Sequence, residues 1–247
     1  MRIPIIEGII DRRILVNFRV YPDVLAKILP PPFRPKLAGT MGMAGICLIR
    51  LKDIRPRHLP AFVGPSSENA AHRVAVEWES GGQTHEGVYI ARRDTSSQLN
   101  TLLGGRVFPG VHHRSDFCVD EHDDRYEIRI DSRDDQMHIN LRARQAQSFP
   151  GDSVFNSLEK ASAFFEAGSV GYSPGTKQRE YDGLELRSRN WKVEPLEVEQ
   201  VQSSFFDNVV TFPRGSVKFD CALLMRGIAH EWHERVTICS PCAADKS

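Results

Sequence analysis

The chain has 247 residues, 40% of them hydrophobic and 26% charged, with 32 basic side chains against 32 acidic ones. This composition excludes a disordered or collagen-like chain, and no apolar run approaches the ~18 residues of a membrane-spanning helix. A zero formal charge gives no general attraction to nucleic acid or to an anionic membrane, and a chain of this length buries enough surface to fold without disulfides or metal.

Residues 12–20 (RRILVNFRV) place Ile14, Val16 and Phe18 on one face, the pattern of a strand. A short helix over residues 24–29 follows, stopped by Pro30, Pro31 and Pro32, which lack the amide donor a helix needs. Residues 41–51 read as a mostly buried strand, being nearly continuous in apolar side chains. Residues 55–65 read as an irregular loop because Pro56, Pro60 and Pro65 interrupt any ladder. Strands over 74–78 and 87–91 are joined by a hairpin at Ser80, Gly81 and Gly82. A short helix over 96–103 ends at Gly104 and Gly105.

Three further strands are predicted at 115–120, 126–132 and 137–144. In the second, Tyr126, Ile128 and Ile130 alternate with Glu127, Arg129 and Asp131, as suits an antiparallel sheet with one wet face. The best helical stripe is 151–167, with Phe155, Leu158, Ala161 and Phe165 on one side. Residues 170–182 read as a loop, strands resume at 184–193, 196–206 and 216–227, and the tail 243–247 reads as frayed. Many strands, few helices and no βαβ alternation predict an α+β fold, a curved antiparallel β-sheet closing into a barrel-like cavity with a few short helices. No composition break divides the chain, so one domain spanning 1–247 is expected.

The basic set comprises 24 arginines and 8 lysines. Arginine grips carboxylates bidentately, whereas lysine is the residue of Schiff bases. Cysteines stand at 47, 118, 221, 239 and 242, an odd number, and Glu7 and Gly8 interrupt the apolar core that a signal peptide needs. Both features predict a reducing, cytoplasmic setting.

The densest group of chemically capable side chains lies between residues 66 and 114. It holds Glu68, Asn69, His72, Arg73, Glu86, Tyr89, Arg92, Arg93, Asp94, His112 and His113. Cations at a strand exit that leads into a helix start suit a carboxylate or phosphate ligand. The alternative is that Arg92 and Asp94 form a solvated face and a helix cap.

The segments RRILVNFRVYPDVLAKILPPPFRP, AGICLIRL, SSENAAHR, GVYIARRDTSS and GVHH, followed by YDGLEL, SSFFDN and FDCALLMRGIAHEW, resemble the bacterial domain-of-unknown-function family 2071. That family is similar to the acetoacetate decarboxylase-like superfamily, so the resemblance implies a curved, largely closed sheet around a pocket. Its decarboxylases carry a glutamate and two lysines, the first of which forms a Schiff base. Glu86 falls on the glutamate, Arg92 and Arg93 fall on the lysines, and Arg12 or Arg13 on an arginine ahead of the first strand. A guanidinium has no free lone pair with which to attack a ketone. The resemblance therefore implies the pocket without lysine-dependent decarboxylation.

On this reading Glu68, His72, Glu86 and His113 are the candidate acids and bases, and Arg92, Arg93, Tyr89, Asn69 and His112 the candidate substrate-binding residues. If the strand is regular, Arg92 and Glu86 share a face, with Arg93 opposite. His230, His233, Cys239 and Cys242 have zinc-ligand chemistry but not the spacing of a standard finger, so neither metal nor cofactor is expected. The expected partner is a small anionic or carbonyl metabolite, with no nucleic acid and no membrane, and homo-oligomerisation is left open. An enzyme without a Schiff base and a non-catalytic carrier or sensor both fit these residues.

Overall fold

The computed structural model describes residues 4–98, 110–175 and 177–240. Three long strands lie side by side and antiparallel: β4 (Met41–Pro56), β1 (Ile6–Val20) in the middle, and β13 (Val217–Cys239). On β1, Ile14 and Val16 turn to one side and Leu15 to the other, and all three are buried. Cover on both faces explains why β4 is nearly continuous in apolar residues. β4 pairs with β5 (Ser67–Ser80), which returns as β6 (Gln83–Thr95). Gly81 and Gly82 make that turn with φ of 59° and 75°, the left-handed values a two-residue hairpin requires.

Beyond β6 the sheet divides. At Val88 and Tyr89 the free edge of β6 pairs in parallel with β10 (Val170–Pro174). From Arg93 to Thr95 it pairs in parallel with β7 (His112–His122). One path runs from β7 through β8 (Arg125–Ser132), β9 (His138–Gln145) and β12 (Glu194–Ser203) to residues 222–224 of β13. The other runs from β10 through β11 (Glu180–Ser188) to residues 230–239 of β13. Gly227, at φ 62°, lies where β13 changes partner. Nine strands thus form one ring. A smaller ring shares β13, β1, β4, β5 and β6 with it and closes through β10 and β11.

The sheet is therefore mixed, where the sequence predicts an antiparallel one. Residues 96–111, more than a dozen, are long enough for the crossover that a parallel β6–β7 pair needs. Within the loop predicted at 170–182, residues 170–174 form β10 and residues 180–182 open β11. Short strands containing Gly171 and Pro174 give little alternation to read.

The nine-stranded ring encloses the main core, including Ile14, Val16, Ile46, Ile128, Leu141 and Leu224. α1 (Pro22–Ile28) ends ahead of the prolines, as expected. α2 (Leu158–Ala167) is shorter than the predicted 151–167. Asn156 sits at φ 60°, and Ser157 is the N-cap, its Oγ accepting from the Lys160 amide at 3.3 Å. α2 lays Ala161 and Phe165 over Leu15, Met43, Cys47, Ala75 and Leu223, on the opposite face of the shared strands from the main core. The helix predicted at 96–103 and the frayed tail at 243–247 fall largely or wholly outside the described residues. No helix among the described residues is long and apolar enough to cross a membrane.

Candidate functional site

A cavity of about 150 Å³ is walled by all seven strands of the smaller ring. That is the order of volume that accommodates a benzene-sized molecule. Its apolar wall includes Ile49, Leu51, Val88, Ile90, Leu184 and Trp232, and its polar wall Arg13, Arg73, Arg93, Asn69, His112 and Cys47.

The three arginines arrive from β1, β5 and β6. Arg13 Nε donates to Cys47 Sγ at 3.3 Å, and its guanidinium lies over Trp191. Arg73 Nη2 donates to Asn17 Oδ1 at 2.7 Å, and its guanidinium lies over Phe165. Gly45 lets Asn17 take this place, because a Cβ there would come within 2.4 Å of Val16 O and 3.2 Å of Asn17 Oδ1. Arg93 Nε donates to Ser173 Oγ at 3.2 Å. None of the three makes an ion pair among the described residues, and residues 99–109 contain no Asp or Glu. Burial pushes Arg73 and Arg93 down to about 10, which leaves both charged near neutral pH.

Asp94 is the one carboxylate on the wall among the described residues, and it is engaged elsewhere. It accepts from Arg92 Nη2 at 3.0 Å and from Ser115 Oγ at 2.9 Å. Burial outweighs these bonds and holds its carboxyl above the usual range. His112 also lines the cavity. Burial, reinforced by Arg93, pushes its imidazole down to about 4, so it is neutral at pH 7.

Arg93, not Arg92, faces the cavity. His72 pairs with Arg92 and Arg73 with Ile90, so Ala91 has no partner and forms a bulge. One extra residue reverses the alternation, and Ile90 and Arg93, three positions apart, share the cavity face. Arg92 instead bridges Asp94 and Asp134. Glu86, predicted to pair with Arg92, meets Lys36 at 2.5 Å near the surface. The expected Arg92–Glu86 geometry is corrected accordingly, and the bulge is its cause.

The other predicted site residues are distributed by the same alternation. Asn69 and His112 join Arg93 on the cavity wall. His72 is buried on the opposite face, its Nε2 3.0 Å from Ser203 Oγ and its ring against Phe205. Tyr89 packs with Phe33 and Tyr181. Glu68 pairs with Arg12 at 2.6 Å and Arg50 at 2.5 Å. His113 Nδ1 lies 2.7 Å from Asp134, whose carboxyl stays well below the usual range because bonds from Arg92 and Ser132 outweigh desolvation. Of the arginine pair on β1, Arg12 turns to Glu68 and Glu121 while Arg13 turns to the cavity.

His230 and His233, three apart on β13, face opposite sides of the strand. His233 bonds to Glu231 at 2.8 Å, and Cys242 lies outside the described residues. No group of three metal-ligating side chains occurs among the described residues.

Cys47 and Trp232 line the cavity without a motif that marks them in the sequence, and Arg73 belongs in sequence only to the wider cluster over 66–114. Arg73 does carry a signal, being a lone charge among Ala71, Val74, Ala75 and Val76.

Residues 10–216 match the family model DUF2071, described as an uncharacterized conserved protein. No curated protein sequence matches the chain. Among solved structures, the acetoacetate decarboxylase of Legionella pneumophila is similar at a TM-score of 0.58 and 11% identity, covering 95% of this chain and 88% of that one. An acetoacetate decarboxylase-like enzyme from Sphingomonas wittichii is similar at 0.58 and 10% identity, covering 98% and 95%. The enduracididine biosynthesis enzyme MppR, in complex with pyruvate, is similar at 0.56 and 9% identity, covering 97% and 91%. At these identities the shared property is the fold.

Proposed function

We propose, from the premise that this chain belongs to the uncharacterised DUF2071 family, that its cavity binds a small oxo acid, a carboxylate that also carries a carbonyl oxygen. The observation that carries this reading is the convergence of Arg13, Arg73 and Arg93 on one cavity without a carboxylate partner among the described residues. A buried cation left unpaired costs several kcal/mol, and an anion held in the cavity offsets that cost. Two guanidiniums suit the paired oxygens of a carboxylate. The third can then donate to the carbonyl oxygen and draw electrons toward it.

The volume limits the ligand to a few carbon atoms, and the apolar wall suits a short hydrocarbon end. That MppR forms a complex with pyruvate supports this size and class. No lysine is among the described lining residues, and the reading does not include a Schiff base. Neutral His112 and the engaged Asp94 leave no strong base among the described lining residues, which favours binding and polarisation over rapid proton transfer.

Titration calorimetry of the chain with pyruvate, acetoacetate and neutral acetone tests the reading. The two acids are expected to bind and acetone not, and Arg73→Met is expected to lose the binding. At about a hundred times Kd, pyruvate should stabilise the chain by ~2.7 kcal/mol. Absence of binding by either acid, or equal binding by acetone, contradicts the proposal.

A further inference from the structure

Among the described residues, the cavity wall holds one thiol. Cys47, on β4, is buried apart from what it presents there, and its Sγ accepts a hydrogen bond from Arg13 Nε at 3.3 Å. Arg73 and Arg93 both interact electrostatically with the same sulphur. Arg13 Nη1 and Arg73 Nε are buried donors without a hydrogen-bond partner among the described residues, and Arg73 is more than nine-tenths buried. The wall therefore combines a thiol, three cations and unfilled donors, and the three cations have no carboxylate partner among the described residues.

The other described cysteines differ. Cys221 is fully buried and lies outside the cavity, and burial beside Asp220 pushes its thiol well up. Cys118 and Cys239 are exposed and also lie outside the cavity. Thiols beside guanidinium groups are the ones that react as nucleophiles. A cleft lined by one sign of charge raises the local concentration of oppositely charged reactants.

We propose that Cys47 is a nucleophile that adds to the carbonyl carbon of an oxo acid held by Arg13, Arg73 and Arg93, an inference resting on the anion-binding reading above. The Sγ–C bond forms as the π pair of the C=O bond moves onto oxygen, and the proton of the thiol ends on that oxygen. The product is a hemithioketal. All atoms are retained, and no oxidant, reductant or leaving group is needed. The guanidiniums hold the carboxylate and stabilise the oxyanion as it develops. This addition gives a cavity with no lysine among its described lining residues a covalent step.

Two measurements on the full chain test it. In the first, iodoacetate and iodoacetamide are applied in parallel with glutathione as reference, and the modified cysteines are mapped by mass spectrometry. The ratio of iodoacetate to iodoacetamide rates at Cys47 is expected to exceed that of glutathione by roughly tenfold or more, and pyruvate is expected to protect Cys47. In the second, pyruvate labelled with carbon-13 at C2 is expected to give a bound tetrahedral carbon signal that Cys47→Ser abolishes.

A Cys47 ratio equal to that of glutathione, or bound pyruvate with an unchanged carbonyl signal, overturns the nucleophile. If calorimetry on the unaltered chain shows no pyruvate binding at all, the anion-binding reading falls with it. Pyruvate binding without an adduct removes this inference alone.

Discussion

Replacing Arg12 by alanine is expected to lower stability by about 3 kcal/mol, the low end of the range for breaking a buried ion pair from one side. Arg12 is 1% exposed, and its guanidinium lies between Glu68, at 2.6 Å, and Glu121. Arg50 spans the same two carboxylates at 2.5 and 2.8 Å, so four side chains from β1, β4, β5 and β7 form one network. Without Arg12, two largely buried carboxylates share a single cation. The loss stays at the low end because Arg50 remains and both glutamates keep some contact with solvent. Denaturant unfolding reads the difference. A loss under about 1 kcal/mol would place the network with ordinary surface pairs.

Acidification is expected to destabilise the fold between about pH 6.5 and 4, before most carboxylates titrate. His72, His112 and His230 are each pushed down by burial, to about 3, 4 and 4. A histidine lowered in the folded state is neutral there while its unfolded counterpart takes up a proton near pH 6.5. The unfolded chain then binds more protons, so stability falls as pH drops, and the full contribution is present only above the unfolded value. Each such proton is worth ~1.4 kcal/mol per pH unit. Where all three titrate together, the slope approaches about 4 kcal/mol per pH unit. His72 is fully buried against Phe205 and Phe206, so His72→Phe is expected to remove close to one proton from the slope. Unfolding free energies measured across this pH range give the slope directly. An unchanged slope in the variant contradicts the assignment to His72.

The fold was legible wherever alternation was clean. Tyr126, Ile128 and Ile130 mark β8 unaided, and the double glycine marks the β5–β6 turn. Polar ends hid the true length of the strands: β5 and β6 run well beyond 74–78 and 87–91, because ladder hydrogen bonds continue after the apolar face has ended. The parallel β6–β10 pair was not legible, since its partners are about eighty residues apart and β10 is short. At the site, regular strand parity points to Arg92 while the cavity is lined by Arg93, and the resemblance offers Arg12 or Arg13 without choosing between them. Which of Arg92 and Arg93 faces inward depends on the bulge at Ala91, and no glycine or proline marks that bulge. Arg73 and Cys47 reach the cavity only because the smaller ring stacks β1, β4 and β5 around it, a consequence of tertiary topology.

The most direct measurement of the central claim is a high-resolution crystal structure of the chain grown with pyruvate. A carboxylate is expected inside the smaller ring, within hydrogen-bond distance of at least two of the Arg13, Arg73 and Arg93 guanidiniums, with its neighbouring carbon facing Cys47 Sγ. Pyruvate bound only outside this cavity, or a cavity in which an Asp or Glu side chain of the chain itself pairs with these arginines, would contradict the account.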